Sequence, residues 1–93
     1  FSQTIRINPY YADVYNFLGL SYFNLKQYEQ ALEEYTSAIH FGEIVKGAQD
    51  AYYLNRGRTY GVLGDYEKAI ADFTKSIELK ADVAEVYVEP IIF

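Results

Sequence analysis

The sequence predicts an all-α fold in which helical hairpins follow one another along the chain, and three observations support this prediction. Apolar residues recur at spacings of three and four in Ala12–Leu25 and in Asp50–Leu63, which is typical of amphipathic helices. The same motifs occur twice, 38 residues apart. Leu63-Gly64-Asp65 indicates a helix end followed at once by a new helix, because Gly accepts a left-handed conformation and Asp caps the next helix.

Small and aromatic residues keep their places in both copies of the repeat. The segment Tyr15-x-x-Leu18-Gly19-x-x-Tyr22 matches Tyr53-x-x-Arg56-Gly57-x-x-Tyr60, and Tyr28-Glu-Gln-Ala31 matches Tyr66-Glu-Lys-Ala69. The pattern resembles the tetratricopeptide repeat family, whose unit of about 34 residues carries these motifs on two helices. Over almost the whole chain, the resemblance implies an α-solenoid of helix-turn-helix repeats in a right-handed superhelix, with about five to six helices here.

The resemblance divides the chain into four parts. Residues 1–8 read as the second helix of a preceding repeat, 9–45 as a first full repeat, 46–81 as a second, and 82–93 as the start of a third. We expect the last helix to stop near Pro90, because a proline disfavours helical backbone in the residue before it. The chain thus looks like a piece of a longer polypeptide.

Two departures from the family pattern and one difference between the two repeats carry structural expectations. The spacing of 38 residues exceeds the period of about 34, and the excess falls at 42–47. This insertion either extends a helix by about one turn or forms a loop between its two glycines, and we favour an extension interrupted near one glycine. Lys26 stands where the second repeat has Gly64, and a positive φ there costs on the order of 1 kcal/mol. Arg56 replaces the usual Leu, so we expect its stem in the hairpin seam and its guanidinium reaching outward.

Composition and charge exclude several function classes. The chain of 93 residues is 51% apolar and 23% charged, which is typical of a folded domain. Its net charge of −5 argues against a nucleic-acid interface, which needs a basic surface. No apolar run approaches the roughly 20 residues that cross a bilayer. We therefore expect a soluble chain without membrane insertion, and no signal segment indicates a compartment.

Catalytic and metal-binding constellations are missing from the sequence. The single histidine, His40, has no cysteine or second histidine to complete a metal site, and no nucleophile is followed by a plausible base. The glycines of Gly57-x-x-x-Gly61-x-x-Gly64 lack the Lys-Ser/Thr of a phosphate loop and lie in a helical pattern. We predict a protein with no enzymatic activity, no metal and no cofactor.

Eight tyrosines occupy framework positions and are predicted to lie in the core: Tyr15, Tyr22, Tyr28, Tyr35, Tyr53, Tyr60, Tyr66 and Tyr87. The resemblance further implies that the first helix of each hairpin lines a concave groove. Eight groove positions form the candidate peptide- or protein-binding site: Asn16, Phe17, Leu20, Phe23, Asn24, Asn55, Arg58 and Val62. The remaining groove positions are Asp13, Ala51, Leu54 and Gly61.

Two functions stay open at this point. The first is binding of a protein partner. Phe17, Leu20 and Phe23 form an apolar strip bordered by amides and a cation, which is typical of a binding hot spot. The alternative for these three side chains is that they only pack between repeats. The second function is self-association into a homo-oligomer. Repeat arrays need about three repeats and capped ends to be stable, and the apolar tail at 90–93 is available to another copy.

Overall fold

The computed structural model describes residues 11–45 and 49–87. Within these residues it has four helices and no strand: α1 (Tyr11–Asn24), α2 (Tyr28–Val45), α3 (Gln49–Leu63) and α4 (Tyr66–Tyr87). The helices form two hairpins, α1 with α2 and α3 with α4, and α2 packs against α3 between them. The predicted all-α fold of repeated hairpins is confirmed for this part of the chain. The helix predicted at 1–8 lies outside the described residues.

Both hairpins turn through the same backbone motif. Lys26 has a φ of 64° and Gly64 a φ of 88°. The N–H of Gln27 donates to the carbonyl of Tyr22 at 2.8 Å, and the second turn makes the equivalent bond at 2.9 Å. These bonds satisfy a carbonyl that has no partner within its own helix. Lys26 therefore takes the left-handed conformation, at a steric cost that glycine avoids.

Glycine lets the two helices of each hairpin approach closely. A Cβ on Gly19 would lie 2.5 Å from Cε1 of Tyr35, and a Cβ on Gly57 would lie 2.9 Å from the ring of Phe73. The aromatic rings therefore occupy the space that a larger side chain at either glycine would need.

A core cluster joins the two hairpins. Four residues from three helices are buried together: Ala12, Ala38, Ile39 and Tyr52. The rings of Tyr15 and Phe41 pack against this cluster and stack with their centres 5.2 Å apart. Tyr52 is only 1% exposed, a burial that the repeat pattern does not predict.

The insertion in the first repeat lengthens α2. The helix continues through Gly42 to Val45, and Gly42 is buried. A Cβ on Gly42 would lie 3.0 Å from Cγ of Gln49, so the glycine allows α3 to begin close to the end of α2. The helix-extension alternative therefore applies to residues 42–45, whereas 46–47 lie outside the described residues.

The last helix differs from the prediction. We expected the second repeat to end at residue 81 and a new helix to begin at 82, but α4 continues without a break to Tyr87. The tetratricopeptide pattern ends each repeat with a proline. Ala81 stands at that position here, and α4 contains neither proline nor glycine to end it. The assignment of residues 82–93 to a third repeat stays a prediction, and Pro90 lies outside the described residues.

The predicted core tyrosines differ widely in burial. Tyr35 is fully buried, but Tyr66, at the start of α4, is 68% exposed, so the core prediction is wrong for Tyr66. Its counterpart Tyr28 begins α2 and packs against the ring of Phe23, with ring centres 5.3 Å apart. The position equivalent to Phe23 in the second hairpin is Gly61. The tyrosine at this repeat position is thus covered only where the preceding helix supplies a ring.

Candidate functional site

The candidate site lies on the surface formed by α1 and α3, the first helices of the two hairpins. This surface, which we call the groove face, carries the eight predicted binding residues: Asn16, Phe17, Leu20, Phe23 and Asn24 on α1, and Asn55, Arg58 and Val62 on α3. Two contacts between α1 and α3 bring residues of this set together, one between the two amides Asn16 and Asn55 and one between Phe23 and Arg58.

Apolar side chains are exposed along the groove face. Phe17 is 62% exposed and Val62 is 52% exposed, and Leu54 is exposed one turn before Arg58. Leu20 is half-buried, and the amide of Asn24 is exposed at the end of α1. Single exposed apolar residues are common, but several on one surface are typical of a binding site.

Asn16 and Asn55 bond to each other across the two helices. Nδ2 of Asn55 donates to Oδ1 of Asn16 at 2.9 Å, and Asn16 is buried. One donor of Asn55 and one lone pair of Asn16 are therefore already in use. If these amides bind a partner's backbone, as predicted, they do so with the donors and acceptors that this hydrogen bond leaves over.

Phe23 contributes to packing between the hairpins. Its half-buried ring lies edge-on to Tyr28, and the guanidinium carbon of Arg58 lies 5.6 Å from its centre. Arg58 itself is exposed, and the ion pairs found among the described residues do not involve it. Its N–H groups therefore remain suited to an acceptor on a partner.

Tyr52 and Asp13 form a second link between α3 and α1. The Tyr52 hydroxyl donates to Oδ1 of Asp13 at 2.5 Å. Burial of the ring, together with the hydrogen bond to Asp13 and its charge, raises the pKa of the Tyr52 phenol above its ordinary value. Sequence reasoning missed this link, because the repeat pattern does not set the lateral offset between the two helices.

The contacts of Arg56 contradict the expectation that its guanidinium reaches outward. Its Nε and Nη2 donate to the two carboxylate oxygens of Asp72 at 2.8 and 2.9 Å, and its Nη1 donates to Oγ1 of Thr36 at 3.2 Å. The rings of Tyr53 and Tyr60 flank the guanidinium. The group therefore does not reach outward but stays in the seam between α3 and α4, because the buried Asp72 needs a cation. The hydrogen bond with Asp72 raises the pKa of Arg56.

His40, the only histidine in the sequence, lies on the surface of α2 with its ring 5.8 Å from that of Phe41. Within residues 11–45 and 49–87, no three side chains of the His, Cys, Asp and Glu types are grouped so as to hold a metal ion. None of the described helices combines the length and apolar character that a membrane span requires.

The sequence is similar to known proteins over most of its length. A family model described as tetratricopeptide repeat matches residues 10–82. A DnaJ homolog subfamily C member 7 homolog of Schizosaccharomyces pombe is 36% identical over 66 residues, which cover 71% of this chain and 13% of that protein. The BBSome complex member BBS4 of Bos taurus is 25% identical over 85 residues, which cover 91% of this chain and 15% of that protein. No solved structure matches the chain at a significant level.

The chain spans only 13% and 15% of the length of these two relatives, so the similarity concerns a region of each protein and not the whole. The residues that match the family model contain α1, α2, α3 and most of α4. The two hairpins repeat their motifs, their crossing glycines and their turn geometry in the same register. The chain therefore belongs to the tetratricopeptide repeat family.

Proposed function

We propose that this chain is a protein-interaction module that binds an extended or helical segment of another protein along the groove face. The observation that carries the proposal is the exposure of Phe17 and Val62 on neighbouring helices, with Leu20 and Leu54 on the same surface. Covering such side chains contributes about 25 cal/mol for each Å² of apolar surface removed from water. In a right-handed superhelical stack of repeats, this surface is the concave one.

Polar groups at the border of the apolar side chains orient the bound segment of the partner. Arg58 offers N–H donors, Asn24 offers an exposed amide, and Asn16 and Asn55 keep part of their hydrogen-bonding capacity. One relative is named as a member of a protein complex, which agrees with an interaction role. The module makes and breaks no covalent bond.

Photo-crosslinking tests the proposal directly. A benzophenone amino acid replaces Phe17 on the groove face or Ile77 on α4, two side chains with similar exposures of 62% and 66%. With the probe at position 17 we expect a crosslinked partner protein from a cell lysate. With the probe at position 77 we expect no crosslinked protein other than a second copy of this chain. Equal crosslinking at both positions, or none at position 17, contradicts binding through the groove face.

Self-association is a second candidate function, and the exposed apolar residues of α4 favour it. Tyr66, Ile70 and Ile77 recur on one side of this helix and are each more than 60% exposed. Ile39, the counterpart of Ile77 on α2, is buried in the cluster that contains Tyr52 of α3. A first helix from another copy would cover Ile77 in the same way. The apolar tail predicted to assist lies outside the described residues.

Sedimentation velocity separates this candidate from the first. If copies associate through α4, the chain should form oligomers at high micromolar concentration, and Ile77→Asp should dissociate them. Phe17→Asp, which places the same charge on the groove face, is the matched control and should leave them intact. A monomer at high micromolar concentration ends this candidate.

A further inference from the structure

Gly61 leaves an opening on the groove face that helix packing does not require. A Cβ on Gly61 would meet no atom within 4 Å, whereas a Cβ on Gly19 or Gly57 would collide with an aromatic ring. Glycine within a helix is less favourable than alanine. The close approach of helices that explains the other two glycines therefore does not explain Gly61.

The first repeat contains a ring at the equivalent position. Phe23, 38 residues before Gly61, lies edge-on to Tyr28 at 5.3 Å and beneath the guanidinium of Arg58 at 5.6 Å. In the second repeat Tyr66 takes the place of Tyr28, and its ring is 68% exposed. The first repeat thus has a ring that packs against Tyr28, whereas the second repeat has the equivalent tyrosine, Tyr66, and no ring to pack against it.

The ring in the first repeat belongs to the first helix of its own hairpin. Phe23 lies on α1, and the following hairpin contributes Arg58 to its surroundings. The same position of the second hairpin is Gly61, so within the described residues no side chain places a ring there. A bound molecule can supply one.

We propose that the groove face binds a partner peptide that inserts a Phe, Tyr or Trp side chain over Gly61, edge-on to Tyr66, and places a carboxylate on Arg58. This inference rests on the proposed function and names the chemistry of the partner. Val62, which is 52% exposed, gives the ring an aliphatic contact. Arg58 lies three residues before Gly61 on the same side of α3, and no ion pair among the described residues uses it.

Charge decides on which side of the ring the acidic residue lies. Asp65 and Glu67 flank Tyr66 in sequence, and Lys68 neutralises only one of them, because it pairs with Asp65 at 3.7 Å. This end therefore keeps a net negative charge that disfavours a carboxylate. Arg58 points toward Phe23 of α1 and attracts a carboxylate at the other end. Alternate residues of an extended chain face the same way and are roughly 6.6 Å apart. Arg58 lies about 4.5 Å from Gly61 along the helix axis, and its guanidinium extends farther toward Phe23. An extended partner matches this span with one residue between its acidic and aromatic residues.

Three short peptides test this proposal by nuclear magnetic resonance on the full chain. The probe is acetyl-Asp-Gly-Phe-amide, and its matched controls carry Leu in place of Phe or Asn in place of Asp. We expect the probe to shift the backbone amides of Gly61 and Val62 and to bind about two- to tenfold more tightly than the Leu peptide, because edge-to-face ring pairs add to area burial. The Asn peptide should bind more weakly than the probe.

Two variants make the result specific. Gly61→Phe supplies the ring from the chain itself and should abolish the preference for Phe over Leu. Tyr66→Ala, at an exposed position, should reduce that preference without unfolding the chain. Shifts at Phe17 and Leu20 without shifts at Gly61 overturn the aromatic opening and leave the groove proposal standing. An absence of shifts throughout also overturns this inference, whereas the groove proposal is judged by crosslinking at position 17.

Discussion

The guanidinium of Arg56 binds both carboxylate oxygens of Asp72 in the seam between α3 and α4, at N–O distances of 2.8 and 2.9 Å. The side chain of Asp72 is only 7% exposed. Two charges taken out of water are stabilising only while their hydrogen bonds are complete. The free energy of unfolding should therefore fall much more when one partner is removed than when both are replaced.

Removing Asp72 alone should be far more damaging than replacing the whole pair. Asp72→Leu leaves Arg56 largely buried without its anion and should lower the free energy of unfolding by about 3 kcal/mol. The double variant Arg56→Leu/Asp72→Leu restores the family's usual Leu at position 56 and should lose no more than about 1 kcal/mol. Urea unfolding measures both values. A double variant as unstable as Asp72→Leu contradicts this account.

Tyr52→Phe should weaken the contact between the hairpins. The change keeps the buried ring and removes the hydrogen bond to Asp13, which leaves the carboxylate without its donor. We expect a loss of about 2 kcal/mol in the free energy of unfolding at neutral pH. Tyr66→Phe removes a hydroxyl from an exposed ring and is the matched control, with little change expected. Equal effects of the two substitutions would show that the Tyr52 hydroxyl contributes nothing specific.

The same link predicts a pH dependence. Because the pKa of Tyr52 is raised above 10.0 in the folded chain, its protonated form stabilises the fold. This contribution is complete below pH 10.0 and is lost as the pH rises through the folded pKa. Between about pH 9 and 11, the melting temperature of the wild type should fall more steeply than that of Tyr52→Phe. Tyr35, whose pKa burial also raises, leaves a residual slope in the variant.

Lys26→Gly should stabilise the chain, although it removes a side chain. The φ of 64° at Lys26 is unfavourable for every residue with a Cβ, and its relief outweighs the greater freedom of glycine in the unfolded chain. The expected gain is about 0.5–1 kcal/mol. Gln27→Gly, one residue later and without a positive φ, is the control and should destabilise. A melting temperature that rises for Lys26→Gly and falls for Gln27→Gly would support this account of the turn.

The turns and crossings were the most predictable parts of the fold. The equivalence of Lys26 and Gly64, and the close approach at Gly19 and Gly57, follow from backbone sterics within a single repeat. Such local requirements are visible when the two copies are aligned. The continuation of α4 to Tyr87 was not predicted. The family's period suggests that the helix ends near residue 81, but no residue of α4 terminates it there.

The polar contacts of the site were less predictable. The sequence placed Asn16 and Asn55 on neighbouring helices, but their hydrogen bond depends on the offset between α1 and α3, which many packed side chains set together. Arg56 was recognised as a departure from the family pattern. Its partner Asp72 corresponds to Glu34 in the first repeat, so an acidic residue there did not stand out.

Two glycines on the first helices should respond to alanine with opposite signs. Gly19→Ala places a Cβ 2.5 Å from the ring of Tyr35, and overpacking of this kind costs about 1–3 kcal/mol. Gly61→Ala adds a Cβ with no atom within 4 Å, so the better helix propensity of alanine should raise stability by about 1 kcal/mol. Urea unfolding with unchanged m values measures both effects. If Gly61→Ala were as destabilising as Gly19→Ala, the space over Gly61 would not be open, and the aromatic site proposed there would lose its basis.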